Sequence, residues 1–179
     1  MRAFFGLSPD ANTKSAIEVW RNEVFPCLDG PVPAANFHVT LAFLGNVSGK
    51  QLDNIKRLVD EMPSVTAFDI SLNQLGHWAK PRAFWLSCEQ TATAHLLLAK
   101  HIHEIANKSG LELQNRDYIA HLTLARKCKI SPPAPLFPVK FKCHVDQFHL
   151  FESVSGPQGV YYPIRQSWPM HNQITVGPN

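Results

Sequence analysis

His38-Val39-Thr40-Leu41-Ala42-Phe43 returns as His121-Leu122-Thr123-Leu124-Ala125-Arg126, 83 residues further along the chain (38 to 121). Four of the six positions are identical, and the Val/Leu exchange at the second is conservative. Side chains alternate along a strand with period two. In the first copy Val39, Leu41 and Phe43 therefore share one face, suited to packing on a helix, and His38, Thr40 and Ala42 share the other. In the second copy Leu122 and Leu124 point one way, and His121, Thr123 and Ala125 the other. One copy in each half of the chain predicts two similar lobes related by an approximate two-fold. With the two polar faces opposed, the cleft between them holds two imidazoles and two hydroxyls.

The elements around the repeat read as short strands and helices. Residues 2–7 form a strand, and Ser8-Pro9 opens a helix with Ser8 as N-cap and an apolar stripe of Ile17, Trp20 and Val24. A strand follows at about 38–44, then a helix capped by Ser48 with the stripe Leu52, Ile55, Val59 and Met62. Residues 67–76 and 83–88 read as strands. Thr91 or Thr93 starts a third helix that carries Leu98, Ile102 and Ile105 and ends at Gly110. Strands come next at about 120–126, near 140–152 and at 159–164. The proline-rich run Ser131-Pro132-Pro133-Ala134-Pro135-Leu136-Phe137-Pro138 is a surface loop, because proline cannot serve a sheet interior. The pattern is α+β and bilobal, each lobe with a small, mostly antiparallel sheet and flanking helices, and the whole is one two-lobed domain over 1–179.

Composition narrows the function classes. The chain has 179 residues, 45% hydrophobic and 17% charged, which excludes a disordered segment. A net charge of +3 tolerates an anionic substrate without signalling a nucleic-acid coat. Cys27, Cys88, Cys128 and Cys143 show no C-x-x-C spacing, so neither a zinc knuckle nor a redox pair is signalled. The N-terminal apolar run is too short for a signal-peptide core, and no window has the length of a membrane-spanning helix. Free thiols then point to a reducing cytoplasm.

Two imidazoles across a cleft suit acid–base work, since at neutral pH one can be neutral while the other is protonated. Thr40 and Thr123 can donate to phosphate oxygens, and Arg126 adds a permanent charge with a fork that matches phosphate. The first copy has Phe43 where the second has Arg126, so the halves are not equivalent. Strict alternation puts Arg126 on the face opposite His121, and it turns inward only if the strand ends or bulges there. A solitary His-x-Thr on a solvated strand face needs no function. Its duplication is what argues for one.

On these residues the chain resembles the two-histidine phosphoesterase superfamily, in particular the bacterial RNA 2′,3′-cyclic phosphodiesterase (2′-5′ RNA ligase) family. The resemblance extends through Arg2-Ala3-Phe4-Phe5-Gly6-Leu7, Leu75-Gly76-His77-Trp78, Ala83-Phe84-Trp85-Leu86 and Phe148-His149-Leu150-Phe151-Glu152-Ser153. It also takes in Gly159-Val160-Tyr161-Tyr162. It implies a cleft between two small sheets and metal-independent opening of a terminal 2′,3′-cyclic phosphate on RNA to a 2′-phosphate. In some members the reverse reaction joins RNA ends through a 2′-5′ linkage. It implies His38 as the acid protonating the departing 3′-oxygen and His121 as the base activating water, roles that the reverse reaction exchanges. Thr40, Thr123 and Arg126 match the phosphate contacts. No metal or cofactor is implied, and the partners are RNA with cyclic-phosphate ends or cyclic nucleotides, handled by a monomer with no membrane contact. Tyr118-Ile119-Ala120 precedes the second histidine, where relatives often carry a proline, and Asn46 stands where an acidic residue is usual.

Phe4 or Phe5, and Tyr161 or Tyr162, are candidates to stack on a nucleobase, with Phe5 and Tyr161 named as the substrate contacts. Trp78 and Trp85 read as sheet packing. The alternatives are a two-histidine phosphodiesterase for 2′-5′ oligoadenylate or a small cyclic nucleotide, and a non-catalytic module that binds RNA ends.

Overall fold

The computed structural model describes residues 1–114, 117–157 and 159–172, so residues 173–179 of the expected domain lie outside the described residues. The chain runs through β1 (Arg2–Leu7), α1 (Ala11–Val24), a 3-10 turn at Ala34–Asn36, β2 (Val39–Asn46) and α2 (Gly49–Asp60). β3 (Phe68–Leu72), β4 (Gln74–Trp78), β5 (Ala83–Ser87), α3 (Thr93–Lys108) and β6 (His121–Arg126) follow. The last strands are β7 (Phe141–Val145), β8 (Gln147–Glu152), β9 (Val154–Gly156), β10 (Gly159–Tyr161) and β11 (Ile164–Pro169). Seven strands hydrogen-bond in the order β11-β8-β1-β2-β6-β5-β4, each neighbouring pair antiparallel. β3 with β7 and β9 with β10 form separate antiparallel pairs. The fold is α+β, as the patterning predicts.

The seven-strand order has a weak joint. β2 and β6 meet through a single residue pair, Val39 opposite Leu122, whereas the other neighbours pair along most of their length. On one side lie β11, β8, β1 and β2, and on the other β6, β5 and β4. These are the two lobes, joined along the two motif strands. α1 reaches the second lobe through Phe25 at its end, which meets Phe84 of β5 edge-on at 5.1 Å, while Trp20 meets Phe141 of β7 edge-on at 5.6 Å. α2 reaches the first lobe, where the Trp168 indole donates to Asp60 Oδ1 at 2.7 Å.

Three local readings need correction. α1 is capped by Asp10, not Ser8: the Asp10 carboxylate accepts from the Thr13 backbone N–H at 2.9 Å and the Thr13 hydroxyl at 2.6 Å. A carboxylate with two such donors outcompetes a hydroxyl, and Pro9 is left ahead of the cap. Arg21, not Val24, completes the buried stripe of α1 with Ile17. The expected 67–76 strand is two: β3 pairs with β7, and after Asn73 the chain joins the main sheet as β4. α3 starts at Thr93, one of the two expected starts. The Ser48 cap holds, as a capping box completed by Gln51. Among the described residues no helix is long and apolar enough to cross a membrane.

His95, in the first turn of α3, is 1% exposed and stacks on Phe68 at 5.0 Å. Burial pushes its imidazole down to about 4. The folded state therefore binds that proton less readily than the unfolded chain, whose histidines titrate near ~6.5. Stability is full above that value and falls as pH drops from ~6.5 to about 4. In urea titrations, His95→Gln is expected to make the fall shallower, by up to ~3 kcal/mol across this window.

Candidate active site

Val39 and Leu122 are both fully buried, so their strand neighbours His38, Thr40, His121 and Thr123 stand on the opposite face, where all four are half-buried. Beyond the threonines both strands break the alternation. In β2 the pairing with β1 steps from Thr40 to Ala42 and skips Leu41. In β6 the pairing with β5 steps from Thr123 to Ala125 and skips Leu124. Each is a β-bulge, an extra residue that shifts the phase of the side chains after it, and β2 shifts register once more between Phe43 and Gly45. Leu41 and Ala42 are consequently both buried and Phe43 is 49% exposed. Leu124 and Ala125 are likewise both buried and Arg126 is exposed. This corrects the strict alternation, which put Phe43 in the core, Ala42 and Ala125 beside the histidines, and Arg126 on the far side.

The two imidazoles are held alike. His38 Nδ1 contacts the Asn36 carbonyl at 2.7 Å, and His121 Nδ1 contacts the Ile119 carbonyl at 2.8 Å, in each case two residues back. A carbonyl only accepts, so Nδ1 carries the proton in both rings. Nε2 is left without a protein partner among the described residues. Aromatic rings pack on each. His38 sits 4.7 Å from Phe4 and edge-on to Tyr162 at 5.0 Å. His121 sits edge-on to Trp78 at 4.6 Å, with Trp85 at 6.3 Å. Burial pushes His38 down to about 4, opposed by its carbonyl bond and helped by the charges of Arg126, His121 and Lys14. His121 is also lowered, chiefly by burial and further by Arg126. Arg126 thus acts on both imidazoles.

The bulge that turns Arg126 is pinned from outside the sheet. The Leu124 carbonyl accepts from the Val32 N–H at 2.9 Å and from the buried Arg21 guanidinium at 3.2 Å. Arg21 also donates to the Val32 carbonyl. The Arg126 N–H donates to the Gly30 carbonyl at 2.8 Å. Gly30 has φ +61, and a methyl there would overlap the Arg126 carbonyl oxygen. Gly30→Ala is expected to lower Tm by several degrees and to raise KM through a displaced Arg126. Thermal melts and steady-state kinetics read the two effects separately.

The remaining candidates divide. Phe5 is fully buried against Phe148 and Trp168, so it belongs to the core and no base can reach it. Tyr161 is 52% exposed on the β9–β10 hairpin, and it is its neighbour Tyr162 that packs on His38. Trp78 and Trp85, read as sheet packing, lie against His121. Gly76 makes room for Trp85, since a methyl there would overlap the indole. A groove of about 940 Å³ runs from Thr40 and His121 past Phe43 and Trp78 to Leu96 and Ile119. Sequence reasoning missed Phe43 as a cleft residue. No local signal marked it, since the Leu-Ala step before it, repeated before Arg126, reads equally well as regular strand.

The family described as LigT like Phosphoesterase matches residues 7–85. The chain is 29% identical over 170 residues to the RNA 2′,3′-cyclic phosphodiesterase of Escherichia coli K12, covering 94% of this chain and 96% of that one. A crystal structure described as a phosphoesterase superposes with a TM-score of 0.89 at 29% identity, over 95% of this chain and 98% of the other. E. coli LigT complexed with 3′-AMP superposes with a TM-score of 0.86 at 30% identity, over 94% and 97% of the two chains. The chain belongs to the LigT-like phosphoesterases. In this LigT-like phosphoesterase the matched 7–85 segment carries the first histidine motif, and the whole-length likeness takes in the second.

Proposed function

We propose that this LigT-like phosphoesterase opens the 2′,3′-cyclic phosphate at an RNA terminus to a 2′-phosphate, without a metal, with His38 as acid and His121 as base. The observation that carries the reading is the matched pair of imidazoles at the strand joint, each with Nδ1 held by a carbonyl and Nε2 left open. The names of its relatives supply the substrate class.

The neutral His121 Nε2 takes a proton from water as the water oxygen bonds to phosphorus. The bond from phosphorus to the 3′-oxygen breaks, and His38 Nε2–H donates its proton to that oxygen. The 2′-oxygen keeps the phosphate. The two rings then hold the opposite protonation states and are reset by exchange with solvent. With a 5′-hydroxyl group in place of water as the nucleophile, the same pair in the same roles forms a 2′-5′ linkage as the bond from phosphorus to the 3′-oxygen breaks. Thr40, Thr123 and Arg126 serve the phosphate oxygens as charge builds on them. A free imidazole lowered to about 4 is a ready acid only once an anion lies beside it, so substrate binding itself charges His38. Phe43 and Tyr161 offer exposed rings to a base. Both histidines come from one chain, so a monomer suffices, and four unpaired cysteines suit the cytoplasm.

The test is product analysis on an RNA ending in 2′,3′-cyclic phosphate, with chelator present. The expected product is the 2′-phosphate at an undiminished rate. A 3′-phosphate, activity lost to the chelator, or binding without turnover each overturns the reading.

A further inference from the structure

The two bulges that aim the site have different clamps. The bulge in β6 is held by Arg21 and by the backbone of residues 30–32. The bulge in β2 has Tyr118. Its hydroxyl donates to the Thr40 carbonyl at 3.1 Å, and Thr40 opens the bulged step. The hydroxyl has one proton and the carbonyl only accepts, so the 2.7 Å contact between Tyr118 and His95 Nε2 must be donated by the histidine. The relay runs from His95 Nε2–H to the Tyr118 oxygen, and from the Tyr118 hydroxyl to the Thr40 carbonyl. It spans three parts of the chain: the first turn of α3, the segment leading into β6, and β2.

Its position gives it a task. β2 and β6 share one residue pair, so the ladder alone does little to fix how far apart the two histidine strands stand. Tyr118 is three residues ahead of His121, and Thr40 is two beyond His38. The hydroxyl therefore ties the approach to one catalytic strand directly to the backbone of the other. His95 is anchored by its stack on Phe68, which gives the relay a fixed foot. The ordinary contribution of such a bond to stability is small, about 1 kcal/mol. Its larger effect is geometric, because reacting groups displaced by about 1 Å can lose roughly 10²-fold in rate.

We propose that Tyr118 and His95 are positioning residues, a hydrogen-bonded clasp that sets the separation of His38 and His121 across the phosphate. The inference rests on the proposed hydrolysis only for its kinetic readout. Burial keeps the phenol protonated and the imidazole neutral, so the clasp stays closed throughout the working pH range.

The experiment compares Tyr118→Phe, His95→Phe and His95→Gln with the wild type, using 2′,3′-cyclic AMP as probe. Tyr118→Phe is expected to lower kcat about tenfold with KM nearly unchanged. His95→Phe, which keeps the stack but loses the donor, follows it. His95→Gln, whose amide can donate, recovers most of the rate. The double variant Tyr118→Phe/His95→Phe loses no more than either alone, because both break one relay. A second arm needs no substrate: amide hydrogen exchange at Val39 and Leu122 is expected to speed up in Tyr118→Phe, while the core of β1 and β8 exchanges as before. Unchanged kcat together with unchanged exchange overturns the clasp. So does a Tyr118→Phe loss confined to Tm. If the wild type fails to hydrolyse both this probe and an RNA ending in 2′,3′-cyclic phosphate, the proposed function falls, and the exchange arm still decides the clasp.

Discussion

His121→Ala turns over a 2′,3′-cyclic nucleotide about 10²- to 10⁴-fold more slowly than the wild type, and His38→Ala does the same. Each ring presents only its Nε2 to the cleft, so truncation removes one proton transfer without removing a structural donor other than Nδ1–H. Both side chains lie on the face opposite the fully buried Val39 and Leu122, so the core beneath is untouched. Circular dichroism and Tm near those of the wild type are expected alongside the kinetic loss. The double variant should lose less than the product of the single losses, since acid and base act in one step. Wild-type kcat in either single variant removes that histidine from the chemistry.

Arg126→Ala costs about 10²-fold in kcat/KM, the scale of removing one charged donor from a developing oxyanion. It also moves the pH profile, and the direction is fixed. In the free protein both imidazoles lie below the ordinary histidine value, so the kcat/KM bell has its optimum on the acid side of ~6.5. The positive charge of Arg126 is one cause of both depressions. Removing it raises both, and the bell moves to higher pH. The move is partial, because burial is the larger cause at each ring and remains. Arg126→Lys separates the two roles: it keeps the charge and the pH profile while losing the bidentate fork and part of the rate. A bell that stays in place in Arg126→Ala would show that the guanidinium does not reach the two rings.

What could be seen in the sequence follows from which physical signals are local. Alternation along 38–40 and 121–123 identified the cleft face, because buried Val39 and Leu122 fix the phase on either side. The same rule failed one residue later. A bulge adds a residue without any mark of its own, and both bulges fall inside an apolar Leu-Ala step that reads equally well as strand. Arg126 was placed only by naming the condition it needed. Phe4 was named beside Phe5 as a cleft candidate and does reach His38, but Phe151, Trp78 and Trp85 were missed for a different reason: they are apolar residues in strands. Only the pairing of β8 with β1 and β1 with β2, and of β4 with β5 and β5 with β6, brings them to an imidazole. The Tyr118 relay depends on three segments distant in sequence, and no periodicity marks it.

The repeated kink gives the centre a near-perfect ambiguity. Turn the molecule halfway round an axis through the Val39–Leu122 pair and imidazole replaces imidazole, hydroxyl replaces hydroxyl, and even the turned strand is restored. A scaffold so balanced has no intrinsic front or back, and would as soon protonate one ester oxygen as the other. The tie is broken where one arm carries a benzyl group and its twin a guanidinium, and again in the rings beside them, Phe4 and Tyr162 against one imidazole and Trp78 and Trp85 against the other.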